Sequence, residues 1–339
     1  MHEAQAFSIH VASANSLYDR PDFLASLEAQ TDRSYQVIYV DLGTGKLNSN
    51  AEFEVVRPDV VRLRTFRNMG FVRGQNQAIA LALSRWPREV WSERFVVLSR
   101  PEVAFDRRLC EAFLRAFKTQ PELMVAGPKV FWADAVPQTE GDWIELNCTD
   151  QLHSAGIGLT RRRTLKFLGQ GSQDTGQFDE GRSVLCLSDA CVVIRASALE
   201  SLMLGDGTWL DPRLPPFFSV MDLCLRAAWQ GFRAKLVPEA RVWLAPQDRV
   251  RHKRVGWRET YVPSKMRATT DDILLRIVHA PWVVFSCLRY GLSRLFFGTF
   301  WEERLRPDGE GAKSPSGLKY TRKTDRAVPL AERRRWFLP

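Results

Sequence analysis

Apolar residues along the first half of the chain alternate between short strand-like runs and stretches at helical spacing. Phe7–Ser13 reads as a buried strand, and residues 20–30 set Phe23, Leu24 and Leu27 on one helical face, with Pro21 near the first turn. Tyr35–Val40 is a second strand, closed by the turn residues Asp41-Leu42-Gly43-Thr44-Gly45. Val61–Thr65 predicts a shorter third strand, Gly74–Leu83 a helix, and Arg94–Leu98 a fourth strand. Leu109–Thr119 predicts a further helix, and Met124–Ala126 a short fifth strand. Strand, helix and strand recurring at roughly 25–30 residues is the pattern of βαβ units around a parallel sheet. Such sheets bind ligands beyond the carboxyl ends of their strands. That rule singles out Ser13–Asn15, Asp41–Gly43, Asn68–Gly74 and Arg100–Glu102.

The pattern loosens further on. Residues 150–185 are rich in Gly, Gln, Asp and Thr and predict a long ordered loop region. Leu185–Ile194 predicts a strand, Ser197–Leu204 a short helix, and Met221–Gln230 a helix with Arg226 inside it. After residue 245 the α/β rhythm stops. The chain therefore divides into a domain over 1–245 and a C-terminal extension over 246–339.

Composition narrows the class. With 45% hydrophobic and 26% charged residues among 339, the chain is expected to fold around a full core. Of its six cysteines, all but Cys148 lie in apolar runs and none has zinc spacing, so free buried thiols are expected. The N-terminus lacks a basic stretch followed by an apolar one, so no secretory signal is expected. Net charge is +9, but residues 251–339 hold 19 Lys/Arg against 9 Asp/Glu, leaving the rest of the chain near neutral. A neutral body with a basic tail points to an anionic surface reached through the tail and argues against nucleic acid on the body.

The segment Asn68-Met69-Gly70-Phe71-Val72-Arg73-Gly74-Gln75-Asn76 combines two glycines that admit close backbone approach with a helix start whose N–H groups suit phosphate. The same residues also suit a plain turn capping a helix. This segment resembles the "N-x-G-F-x-x-G-x-N" of family-2 glycosyltransferases, in particular their rhamnosyltransferase-like branch. Further resemblances follow in the same order: Ser26-Leu27-Glu28-Ala29-Gln30-Thr31, Gly127-Pro128-Lys129, His153-Ser154-Ala155-Gly156, Asp174-Thr175-Gly176-Gln177-Phe178-Asp179 and Leu236-Val237-Pro238-Glu239-Ala240. They extend over residues 7–245, roughly 70% of the chain.

The resemblance implies an α/β GT-A (Rossmann-like) fold, with a mostly parallel central sheet flanked by helices. It also implies a nucleoside-diphosphate sugar, UDP- or dTDP-linked, as donor and a divalent cation, Mg or Mn, as cofactor. Ser13 and Asp41 would hold the nucleoside, although an Asp at a strand end is also a common turn former. Asn68 and Gly70 would lie near the phosphates. The family's "N-P-D" segment reads Arg100-Pro101-Glu102 here. Three readings of it stay open: Glu102 holds the metal, Arg100 supplies part of the metal's charge on the diphosphate, or Glu102 sits in a surface turn. Asp174, Gln177 and Asp211 fall on the acceptor side.

The chain departs from the family where a base is needed. Aligned without gaps, Asp211, Asp222, Leu223 and Arg226 match the family's "D-e-x-F-F-x-Y-x-E-D-v-D-L-x-x-R", but its "E-D" pair falls on Ser219-Val220. Neither side chain is a competent base near neutral pH, and losing a general base slows transfer by about 10²–10⁴-fold. Asp222 is the candidate replacement, or else a helix cap. A histidine that follows the "v-P-e-A" strand in the family falls on Leu244.

Within the extension, the longest stretch free of charge and histidine is Ala280–Leu288, nine residues against the ~20 that span a bilayer. Arg289 and Arg294 among Trp282, Phe285, Phe296, Phe297 and Trp301 suit amphipathic helices at a membrane interface, or helices packed on protein. The expectation is an inverting hexosyltransferase, cytoplasmic and peripheral at the inner face of the plasma membrane. It would act on a glycan or lipid-linked acceptor in cell-surface polysaccharide synthesis. The rival is a catalytically silent GT-A domain serving as a membrane-associated scaffold.

Overall fold

The computed structural model describes residues 5–245 apart from 14–20, 44–59, 66, 138–143 and 160–164. The extension over 246–339, with its expected interfacial helices, lies outside the described residues. In chain order the elements begin with β1 (Phe7–Ser13), α1 (Pro21–Glu28), β2 (Tyr35–Asp41), β3 (Val60–Arg64), α2 (Phe71–Arg85), β4 (Phe95–Ser99) and β5 (Val103–Phe105). Next come α3 (Leu109–Thr119), β6 (Val125–Pro137), β7 (Ile144–Ser154), β8 (Ile157–Leu159), β9 (Leu165–Phe167) and β10 (Ser183–Val184). The last are β11 (Cys191–Arg195), α4 (Ala196–Leu202), α5 (Pro216–Trp229) and β12 (Ala234–Leu244).

Among the described residues one mixed sheet runs β10-β12-β6-β11-β4-β1-β2-β3, with β5 on β12 and β7 on β6. Strands β4, β1, β2 and β3 are mutually parallel, as are β6 and β12. β11 is antiparallel to both of its neighbours and joins the two halves. Every residue of β2 is buried, which is why its sequence is almost continuously apolar. Its side chains alternate between two cores: Ile38 and Val40 face one, Val37 and Tyr39 the other. α2, α4 and α5 cover the first core, while α1 and α3 cover the second.

The α/β class and the flanked central sheet are as the sequence predicts, and the helix over Leu109–Thr119 matches residue for residue. Boundaries differ elsewhere. α2 begins at Phe71, three residues before the expected Gly74. α5 begins at Pro216 and not Met221, because proline is tolerated in a first helical turn where its missing N–H is no loss. The fifth strand runs on to Pro137, paired with β7 in a hairpin that extends into the region read as loop. The strand expected over 185–194 is confined to Cys191–Arg195. Ser188 turns the chain just before it, its hydroxyl accepting from the Ala190 N–H at 3.3 Å. Cys110, Cys186, Cys191 and Cys224 are free and buried, and burial pushes the Cys110 and Cys224 thiols up to about 12. Among the described residues, no helix is long and apolar enough to cross a membrane.

Candidate functional site

The chain leaves β1 towards β2 and β3 on one side, then crosses back to β4 on the other. That reversal makes the carboxyl ends of β1 and β4 a topological switch point, where open α/β sheets bind ligands. The register sets Ser13 beside Asp41, Asp41 beside Arg64, and Val11 beside Ser99. Antiparallel β11 starts at the same edge, since Cys191 pairs with Ser99. Ser13, Asp41, Arg100 and Asp189 therefore converge there from separate strands.

Asp41 is fully buried. Its Oδ2 lies 2.5 Å from Arg62 Nη2 and 4.0 Å from Arg64 Nε, and its Oδ1 accepts the Gly43 N–H at 3.1 Å. Gly43 adopts φ +81°, and a Cβ there would lie 3.2 Å from the Arg67 carbonyl carbon. The 67–68 segment thus crosses the end of β2. Asn68 Oδ1 accepts the Gly70 N–H at 2.9 Å, and Gly70, at φ 83° with open space around it, leads into α2. No side chain caps α2, so its N-terminal N–H groups and dipole face this edge. Gly74 lets the helix sit close: a Cβ there would come within 3.0 Å of Ala12 Cβ and Leu42 Cδ2.

Under the helix lies a buried polar layer. Gln75 Nε2 donates to the carbonyls of His10 and Ser99 at 3.3 and 3.2 Å, while His10 Nε2 is 2.9 Å from Ser8 Oγ. Burial lowers His10 to about 3, so the ring is neutral at ordinary pH.

Arg100 follows β4, its N–H donating to the Ala190 carbonyl at 3.1 Å. Its Nε lies 3.3 Å from Glu102 Oε2, and Nη1 lies 3.8 Å from Asp189 Oδ2. The carbonyl of Glu102 accepts from Ala245 at 3.0 Å, tying the β4–β5 turn to the end of β12. Leu244, at the position aligned with the family's histidine, is buried and apolar. Among the described residues, no group of three His, Cys, Asp or Glu side chains is placed to hold a metal. The described residues therefore offer a cation at most the paired carboxylates Glu102 and Asp189 at this edge.

The acceptor-side candidates occupy two loops. Asp174 Oδ2 and Asp179 Oδ1 lie 2.7 and 2.5 Å from the Nζ of fully buried Lys129. That hydrogen bond and charge hold the Asp179 carboxyl below the usual range. Gln177 shapes the same loop, its Oε1 accepting from the Thr175 N–H at 2.6 Å and its Nε2 donating to the Gln173 carbonyl at 2.8 Å. Asp211 is buried in a two-point pair with Arg213, with bonds of 2.7 and 2.9 Å. Asn76, inside the glycine-bearing segment, fastens this second loop. Its Oδ1 accepts from Trp209 and Leu210, and its Nδ2 donates 2.7 Å to the Leu210 carbonyl.

Ser219 and Val220 lie within α5 and are buried, with the Ser219 hydroxyl donating to the Pro216 carbonyl at 2.8 Å. One turn on, Asp222 is 3% exposed and 2.9 Å from Arg226 Nε. Arg226 also donates to the carbonyls of Leu202 and Trp209. No local pattern signals Asp189 or the Arg62–Asp41 pair, since both depend on segments meeting across the sheet.

No family model and no curated protein matches the chain. Among solved structures, it is similar to GalNAc-T7 with UDP, GalNAc and Mn2+, at a TM-score of 0.52 and 11% identity, over 86% of this chain and 58% of that one. The fold is GT-A. A second neighbour is the mannosyltransferase PcManGT from Pyrobaculum calidifontis in complex with GDP-Man and Mn2+, at a TM-score of 0.49 and 14% identity, over 90% of this chain and 79% of that one. At these identities the likeness is one of fold, and the chain spans 58% of the length of GalNAc-T7. In this domain Ser13, Asp41 and Arg100 lie at the carboxyl-end edge of the parallel strands.

Proposed function

We propose that the chain is a glycosyltransferase that binds a nucleoside-diphosphate sugar across the carboxyl ends of β1, β2 and β4. One observation carries the reading: Ser13 and Asp41 at the ends of β1 and β2, and Arg100 just after β4, share the sheet edge where the strand order reverses, and the uncapped helix α2 follows β3. Ser13 and Asp41 take the nucleoside, and Asn68, Gly70 and Arg100 face the diphosphate. The acceptor, a glycan or lipid-linked sugar, enters beside Asp174, Gln177 and Asp211. Transfer inverts the anomeric centre by a single displacement, and the sugar is a hexose or deoxyhexose destined for a cell-surface polysaccharide. The basic extension over 246–339 brings the domain to an anionic membrane surface at the cytoplasmic face.

A second reading is favoured by one specific observation. Ser219 and Val220, at the aligned base position, are packed in the core, and Asp222 is paired with Arg226. A domain so built binds a nucleotide sugar and holds a partner without transferring. Incubation of the full chain with UDP- and dTDP-linked hexoses and a lipid-linked acceptor fraction separates the two. Acceptor-dependent release of nucleoside diphosphate supports transfer. Binding without release supports the silent domain.

A further inference from the structure

We propose that Arg100, and not a divalent cation, neutralises the diphosphate in this donor site. The inference rests on the nucleotide-sugar reading above. Glu102 and Asp189 flank Arg100 beyond the end of β4, and its guanidinium lies against both, at 3.3 and 3.8 Å. A divalent ion on the same oxygens would sit within roughly 5 Å of the guanidinium carbon. The guanidinium already occupies these carboxylates, so a metal would have to compete with it for them.

The side chain is fixed as a built group would be. Its backbone N–H is held by the Ala190 carbonyl, and its own carbonyl accepts from Ser99 Oγ at 3.1 Å. At 18% exposure the side chain is largely desolvated, which strengthens the attraction of its charge for an anion. Its planar fork of donors matches phosphate oxygens in a way that a point charge does not. Glu102 and Asp189 then orient the guanidinium and hold no ion. Elsewhere on the described edge Arg62 and Arg64 flank Asp41, and the α2 dipole adds partial positive charge where the diphosphate lies.

The test is calorimetric titration of the full chain with UDP, dTDP and GDP, in excess EDTA and in excess Mn2+, with electron paramagnetic resonance reporting bound Mn2+. The expected result is affinity equal within about twofold in the two conditions, and no Mn2+ bound with or without nucleotide. Arg100→Gln is expected to weaken binding about 10- to 100-fold. Glu102→Gln keeps an acceptor for Arg100 Nε and removes one negative charge, so it should tighten nucleotide binding. The wild-type comparison stands even if Arg100→Gln fails to fold. Binding that appears only with Mn2+, or that disappears in Glu102→Gln, overturns the inference and leaves the transferase reading in place. So does an Arg100→Gln variant that folds and binds as tightly as wild type. Failure of all three nucleotides in both conditions overturns both.

Discussion

The ammonium of Lys129, with no exposed surface, lies 2.7 Å from Asp174 on a loop forty-five residues away in sequence. Asp179 closes the same ammonium from the other side at 2.5 Å. One buried cation thus anchors both ends of the 174–179 loop to the middle of β6.

Replacing that cation should release the loop. Lys129→Met leaves two carboxylates without their partner, and a loss of about 2–4 kcal/mol in urea unfolding is expected. Limited proteolysis of the variant should cut first between residues 170 and 182. A variant as stable as wild type and uncut there would show that the pair contributes nothing to the loop.

His10 predicts the behaviour in acid. Its folded value is about 3 against an ordinary 6.5, so between these limits the unfolded chain binds a proton that the folded chain refuses. Stability from this group is complete above about pH 6.5 and falls as pH drops, by ~1.4 kcal/mol per unit. Urea midpoints measured from pH 7 to pH 4 should show that slope in wild type, and lose it in His10→Gln.

Asn76 gives a third expectation. It bonds the backbone of Trp209 and Leu210 at three points, all buried. Asn76→Ala strands two buried N–H groups, and a destabilisation of about 2–4 kcal/mol is expected in thermal or urea unfolding.

Asp222 separates a structural role from a chemical one. Its pairing with buried Arg226 predicts that Asp222→Asn lowers stability by about 2–4 kcal/mol while UDP affinity stays within threefold. An equally stable variant whose acceptor-dependent turnover is abolished would instead assign it the base.

The sequence made the layers of the fold plain because strand and helix periods are local. The continuous apolar run of β2 and the helical spacing of Leu109–Thr119 needed no partner to be read. The positions after β1, β2 and β4 followed from the βαβ rhythm alone. What stayed hidden is pairing. The G-P-K and D-x-G-Q-F-D segments are two motifs in the chain but one ion cluster in space. His153-Ser154-Ala155-Gly156 proves to be a tight turn, with Gly156 at φ 100° against Val184, where a Cβ would come within 2.5 Å of Cγ1. Nothing local distinguishes Asp189 from any other turn Asp, because its partner Arg100 comes from another strand.

Hydrogen exchange of the full chain, with and without UDP, dTDP and GDP in turn, tests the central claim most directly. The account predicts slowed exchange at the carboxyl ends of β1 and β2, at residues 67–74 and at residues 99–102, for at least one of the three nucleotides. Unchanged exchange there for all three, or protection confined to some other part of the domain, would contradict it.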